Sequence, residues 1–186
     1  MKKFFSIALV AAAMLFAGKA NAQISIHGGY QNETQKVSVG SGSESISGNG
    51  FYIGGNYNME AGAGLGVAPG VYFAYSSYSI KGSDESFSKM DIRIPVLLNW
   101  GMNMGEIGVG LFGGPMVNIG VGGDAYKDNS GIKNFGLGVT LGIKASYQKI
   151  SLDLGYNLDL LNRWKDAPDD CSVKFNQFFV GLGYSL

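Results

Sequence analysis

The chain has 186 residues, enough for one domain, and its 14 basic residues balance its 14 acidic ones, which excludes an electrostatic nucleic-acid binder. Its 30 glycines, beside 10 tyrosines and 11 phenylalanines, disfavour helices, where each interior Gly loses about 1 kcal/mol relative to Ala, and suit strands and tight turns. A single cysteine, Cys171, excludes an internal disulfide framework.

Residues 1–22 read as a signal peptide that is cleaved. Lys2 and Lys3 form the positive start, Phe4 to Ala17 the apolar stretch, and Ala20-Asn21-Ala22 the small residues a signal peptidase reads. The mature chain is then 23–186. No Cys follows the cut, which argues against a lipid anchor.

The first strand carries Ile24, Ile26 and Tyr30 on one face and His27 on the other. Thr34 to Ser45 is polar and is expected to be a long loop. Phe51, Ile53 and Tyr57 mark a second strand, and Asn58 to Gly64 a short turn. Val67, Val71, Phe73 and Tyr75 share a face with Pro69, before a second polar loop over Lys81 to Ser88. Met90, Ile92, Ile94, Val96, Leu98 and Trp100 alternate with Asp91, Arg93, Pro95, Leu97 and Asn99, up to a turn at Gly101 to Gly105. Ile107, Val109, Leu111, Val117 and Ile119 follow on one face with Gly113 and Pro115. A third polar loop, Gly122 to Lys133, leads to the alternation of Phe135 to Tyr147. Gln148 and Lys149 form a two-residue turn into Ile150 to Leu161, and Asn162 to Lys174 is the last long loop. Phe178, Val180, Leu182, Tyr184 and Leu186 close the chain. Pro69, Pro95 and Pro115 each remove a ladder donor, so bulges are expected near them.

About eight two-faced strands result, with short and long connections alternating between them. No segment after the signal reaches the roughly 20 apolar residues of a spanning helix. A soluble sandwich would have to bury each oily face against a second sheet. The pattern predicts instead an all-β fold: an antiparallel, up-and-down transmembrane β-barrel over 23–186, in the bacterial cell outer membrane, with its oily face toward lipid. At eight strands the lumen is filled by side chains, here expected to be polar. Tyr57, Trp100, Tyr147 and Tyr184 fall at the turn side and Tyr30, Tyr75, Phe135 and Phe178 at the loop side, as two aromatic belts.

Candidate chemistry is sparse. Gly108, Gly110 and Gly113 match a dinucleotide fingerprint, but the run continues as a strand and not as the helix such a site needs. His27, the only histidine, faces inward; it could act as a base, is too little for a metal site, and reads more simply as a hydrogen-bonded interior residue. Asp153 and Asp159 lie about 20 Å apart by strand rise and cannot act on one bond. Across the Gln148–Lys149 turn Lys144 faces Asp153, which predicts a structural pair inside the barrel; Asp91 and Arg93 offer a second inward charge set, and Glu33 is expected near one mouth. Within the loop RWKDAPDDC, Arg163 to Cys171, Trp164 could anchor a surface partner, against the simpler reading of a solvated loop. No catalytic, cofactor or metal site is expected.

The segments DIRIPVLLNWG (91–101), GLFGGPMVNIG (110–120) and SLDLGYNLDLLN (151–162) resemble the PorT-like outer-membrane β-barrel proteins of Bacteroidetes, and in shape the chain is similar to small OmpX-type barrels. The resemblance covers nearly all of the mature chain and implies barrel strands and not a reaction. The ending FVGLGYSL resembles the signal read by the barrel-assembly machinery, through Gly181, Tyr184 and Leu186. The expected function is that of a non-enzymatic outer-membrane barrel, in contact with membrane lipid, whose loops meet an unidentified surface partner. The alternatives are a narrow channel for small solutes, a lipid-modifying barrel enzyme and, from the resemblance alone, a secretion-associated factor.

Overall fold

The computed structural model describes residues 22–79, 86–127, 131–165, 167–168 and 171–186. The predicted signal peptide lies outside these residues except for Ala22. Eight strands follow in order: β1 (Ala22–Val39), β2 (Gly42–Gly62), β3 (Leu65–Ser79), β4 (Ser86–Met104), β5 (Ile107–Gly122), β6 (Phe135–Tyr147), β7 (Ile150–Asp159) and β8 (Cys171–Ser185). Each pairs antiparallel with its sequence neighbours, and β1 pairs with β8, so the ring closes and leaves no edge. One 3-10 turn, Asp124–Tyr126, lies between β5 and β6.

The alternation becomes a physical partition. Outward residues form an apolar band on every strand: Ile53 is 55% exposed, Leu98 64%, Leu141 52% and Leu182 61%. In water such a continuous apolar surface would be untenable; in a bilayer it is the required exterior. Aromatic residues border the band. Tyr30, Phe51 and Tyr75 stand in register on three adjacent strands at the loop side, and Ile150 is flanked by Tyr147 and Tyr184 at the turn side.

Inside, the eight-stranded lumen is narrow, and large side chains fit because glycines face them across the wall. A Cβ on Gly142 would lie 2.2 Å from the Phe112 ring, one on Gly155 2.3 Å from that of Phe179, and one on Gly181 2.0 Å from the Tyr52 hydroxyl. The expectation of a polar lumen is therefore corrected for its middle. A buried layer of Tyr52, Ala68, Ala74, Leu97, Phe112 and Phe179 crosses the middle, with polar groups on either side of it. Phe112, Leu97 and Phe179 occupy inward positions that the glycines opposite make wide enough for them.

Several boundaries also shift. The expected loop Thr34 to Ser45 is mostly strand: Thr34 pairs with Ser47 and Val39 with Gly42, which leaves only Gly40 and Ser41 as the turn. β2 runs through Asn58 to Gly62, so that turn is Ala63–Gly64, both with positive φ, and β4 runs through Gly101 to Met104. Cys171 to Lys174 belongs to β8, with Cys171 opposite Val39. No register shift falls at the prolines. Pairing resumes in unchanged register beyond each one, from Pro69–Val96 to Tyr72–Arg93 and from Pro95–Met116 to Leu98–Gly113. The interruption costs two local pairs in each case and inserts no residue; the shifts lie at Glu60/Gly62 and Met90/Asp91.

Candidate functional site

The barrel interior holds two separate groups of charged residues, one on each side of the aromatic layer. Toward the turn end, β1 places His27 opposite β7. Its Nδ1–H donates to Asp153 Oδ2 at 2.6 Å, which fixes the tautomer and leaves Nε2 buried with no hydrogen-bond partner among the described residues. Lys144 stands in register with Asp153 but is farther away, 3.8 Å from Oδ1, and its side chain is 28% exposed. Asp153 thus has a buried partner, His27, and a looser one, Lys144.

Between the two groups, a cavity of about 60 Å³ is walled by His27, Asp153, Arg93, Asn157, Phe112 and Phe179, among others. It has room for water and not for a drug-sized ligand. A wider polar vestibule opens from the turn end, lined by Ser25, Asn58, Asn103, Ser146, Ser151 and Lys144. Lys144 and Phe112 line both spaces and stand between them.

Toward the loop end, the second group is denser. β1 supplies Gln31 and Glu33, and β4 supplies Lys89, Asp91 and Arg93 at successive inward positions, all nearly fully buried. Lys89 Nζ donates to Glu33 at 2.8 Å and also to Asp91. Arg93 reaches Gln31 at 2.8 Å and Glu33 at 3.3 Å, and Tyr78 Oη donates to Glu33 as well. The cluster continues upward. Tyr126 donates to Asp91 at 2.5 Å and accepts from Arg163 at 3.0 Å, while Arg163 lies 3.7 Å from Asp159. Glu33, Asp91 and Asp159 balance Lys89, Arg93 and Arg163 in charge, the condition for burying six ions together.

A cap folds over this cluster. Tyr78, Ile132, Val173 and Phe175 form a second buried apolar group, with Tyr78 stacked on Phe87 at 4.4 Å and Trp164 packed against it. Outside the strands, the turn Asp124–Tyr126 ties the cap to β4. The Asp124 carboxylate is held down at about 2 by its bond with Lys127 and by the Ser88 N–H and hydroxyl, each at 3.0 Å. Burial and the neighbouring Asp91 push the Tyr126 phenol well above its ordinary value, so it stays a donor.

Of the residues singled out in the sequence, His27, Lys144 and Asp153 come together at the turn side, and Asp91, Arg93 and Asp159 join the loop-side cluster. Glu33, expected near a mouth, lies at the centre of that cluster. The solvated-loop reading of Arg163 to Cys171 is overturned at its start: Arg163 is 1% exposed and plugs the barrel from above, because Asp159 and Tyr126 need a cation there. Trp164 is half-buried, its backbone bridged to Ile132 and its ring packed against the cap, and Cys171 is half-buried in β8. Lys89, Gln31, Tyr78 and Tyr126 were missed. Counting inward in twos from Asp91 and His27 would have found the first two. Among the described residues no group of His, Cys, Asp and Glu could hold a metal ion.

No protein-family model matches the chain, and no curated protein matches it in sequence. Among solved structures, Neisserial surface protein A is similar at 17% identity, with 89% of this chain and 99% of that one covered and a TM-score of 0.56. The outer membrane enzyme PagL is similar at 10% identity over 84% of this chain and 99% of its own, with a TM-score of 0.51. At such identities the likeness is one of fold. The closed antiparallel ring of eight strands and its apolar outer band make this chain an integral β-barrel of the bacterial outer-membrane type.

Proposed function

We propose that the chain is a non-conducting, non-enzymatic outer-membrane barrel whose work is done at its loop-end surface, in envelope or surface interaction. The observation that carries this reading is the double closure of the lumen: the aromatic layer of Tyr52, Leu97, Phe112 and Phe179, and above it the balanced cluster around Glu33 and Lys89. A channel needs a continuous wet path, and among the described residues the polar vestibule lies at the turn end, with the aromatic layer between it and the loop-end cluster. The Asp153–His27 pair has the form of a general base, and PagL, which shares the fold, is an enzyme. Against an enzyme reading, His27 lines a cavity of only about 60 Å³, and its Nε2 is buried, away from the lipid outside. The resemblance to PorT-like barrels belongs to the same proposal, as does insertion by the barrel-assembly machinery through the ending that carries Gly181, Tyr184 and Leu186. A role in secretion would rest on that resemblance alone.

The test is reconstitution into planar bilayers. The mature barrel is expected to give no stable unitary current, and Glu33→Ala combined with Phe112→Ala to give measurable conductance. Steady single-channel currents from the unaltered protein would refute the closed-barrel reading.

A further inference from the structure

The loop-side rim of the barrel is uneven. β8, β1 and β2 continue well past their last outward apolar residues, Phe178, Tyr30 and Phe51, as walls of polar residues such as Asn176, Thr34 and Ser47. β6 begins only at Phe135 and β7 ends at Asp159, so on that side the wall stops where the apolar band stops. There the chain entering β6 and the chain leaving β7 run side by side. Ile132 bridges Trp164, the Lys133 N–H donates to the Arg163 carbonyl at 2.6 Å, and the Lys165 N–H donates to Gly131 at 2.7 Å. Arg163 holds this ribbon from within through Asp159 and Tyr126.

On the ribbon's outer side lies a groove of about 610 Å³ lined by Lys133, Asn134, Phe135, Leu161, Asn162 and Lys165. Its apolar part is continuous with the lipid-facing band: Phe135 is 52% exposed, and Leu160 and Leu158 follow beside it. Its polar part carries two exposed lysines with no ion-pair partner among the described residues. Lys133 and Lys165 stand on the loop side of the last apolar residues there, Phe135 and Leu161.

We propose that this groove binds the phosphorylated head group of a lipid in the leaflet facing the loops. The two ammonium groups hold the phosphate, the Asn134 amide faces the sugar or glycerol, and an acyl chain lies on Phe135 and Leu161 and runs down the band. Two observations select a lipid over another occupant. The groove's apolar wall is the same surface that meets the bilayer, and its charge is opposite to that of a phosphate. Asn162 takes no part in binding, because its side chain already bonds Cys171, Trp164 and Val173 and so stiffens the groove.

The experiment is native mass spectrometry of the full mature barrel released from detergent, titrated with diphosphoryl lipid A and, separately, with the same lipid lacking its phosphates. The unaltered barrel is expected to retain one diphosphoryl lipid. Affinity should fall about fivefold in Lys133→Gln or Lys165→Gln and about thirtyfold in the double variant. The double Lys→Arg variant should keep the lipid, and Lys127→Gln, on the cap, should change nothing. Unchanged affinity in the double Gln variant would overturn the proposal. Equal retention of the phosphate-free lipid would overturn it as well. Displacement by millimolar inorganic phosphate would show that the site takes free phosphate and not a lipid.

Discussion

Glu33→Gln tests the interior most directly. The side chain is fully buried, and its carboxylate accepts from Tyr78, from Lys89 at 2.8 Å and from Arg93 at 3.3 Å. Glutamine keeps the shape and one acceptor oxygen but turns an amide N–H₂ toward either Arg93 or the pair Lys89 and Tyr78. One charge-assisted bond is then lost, to Arg93 or to Lys89, worth about 1.5–3 kcal/mol, and a net positive charge stays in the lumen. The expected loss is about 3–5 kcal/mol, the range for breaking a buried ion pair. Lys144 provides the internal contrast. The sequence suggests that it and Asp153 form a costly buried pair, but its side chain is 28% exposed, and Asp153 has a nearer partner in His27 at 2.6 Å. Water screens Lys144, so Lys144→Ala is expected to cost under about 1 kcal/mol. Urea unfolding of the barrel in lipid vesicles, followed by tryptophan fluorescence, reads both. A double-mutant cycle should give a Glu33–Lys89 coupling of about 3 kcal/mol and a Lys144–Asp153 coupling several times smaller. If Glu33→Gln stays within about 1 kcal/mol of the unaltered protein, or if the two couplings are equal, the cluster is hydrated and the closed-lumen argument fails.

Gly181→Ala should cost about 1–3 kcal/mol in the same assay, because the new methyl would sit 2.0 Å from the Tyr52 hydroxyl and 2.9 Å from the Gly28 carbonyl; Tyr52→Phe should recover part of the loss. Leu141→Arg, midway along the outward band of β6, should cost about 2–4 kcal/mol in vesicles, whereas Leu186→Arg at the turn-side border should cost no more than about 1 kcal/mol. Equal costs at the two depths would displace the membrane from the position assigned to it. Asp124 has a pKa of about 2 in the folded protein, below its ordinary 3.8, so its contribution is present above about pH 4 and is lost as pH falls through 2. Asp124→Asn should therefore speed proteolysis after Lys127 at about pH 5 and leave it unchanged near pH 2.

What was legible in the sequence follows from contrast between the two faces. β6, β7 and the Gln148–Lys149 turn fall where the alternation placed them, because every outward residue there meets lipid and every inward one is small or polar. β1 and β2 were cut short because above the membrane both faces touch water or other polar groups. Thr34 and Lys36 face outward and Gln35 and Val37 inward, a pattern indistinguishable from a loop until the ladder to Ser45, Ile46 and Ser47 is seen. The same loss of contrast blurred the charge cluster: Glu33 was expected near a mouth and not at its centre, and Lys89 was missed. Asp91 and Arg93 lie on a clean stretch of β4, but Glu33 and Lys89 lie where the alternation fades, and Arg163 comes from a connection that no periodicity describes. The hidden residues are those that rise past the band, and this has a physical reason. Within the bilayer a buried ion has only the lumen to balance it, whereas near the loop end a cap can deliver a partner from above, as Tyr126 and Arg163 do for Asp91 and Asp159. The cluster stands where the wall leaves the lipid because only there can both strands and loops supply its counter-charges.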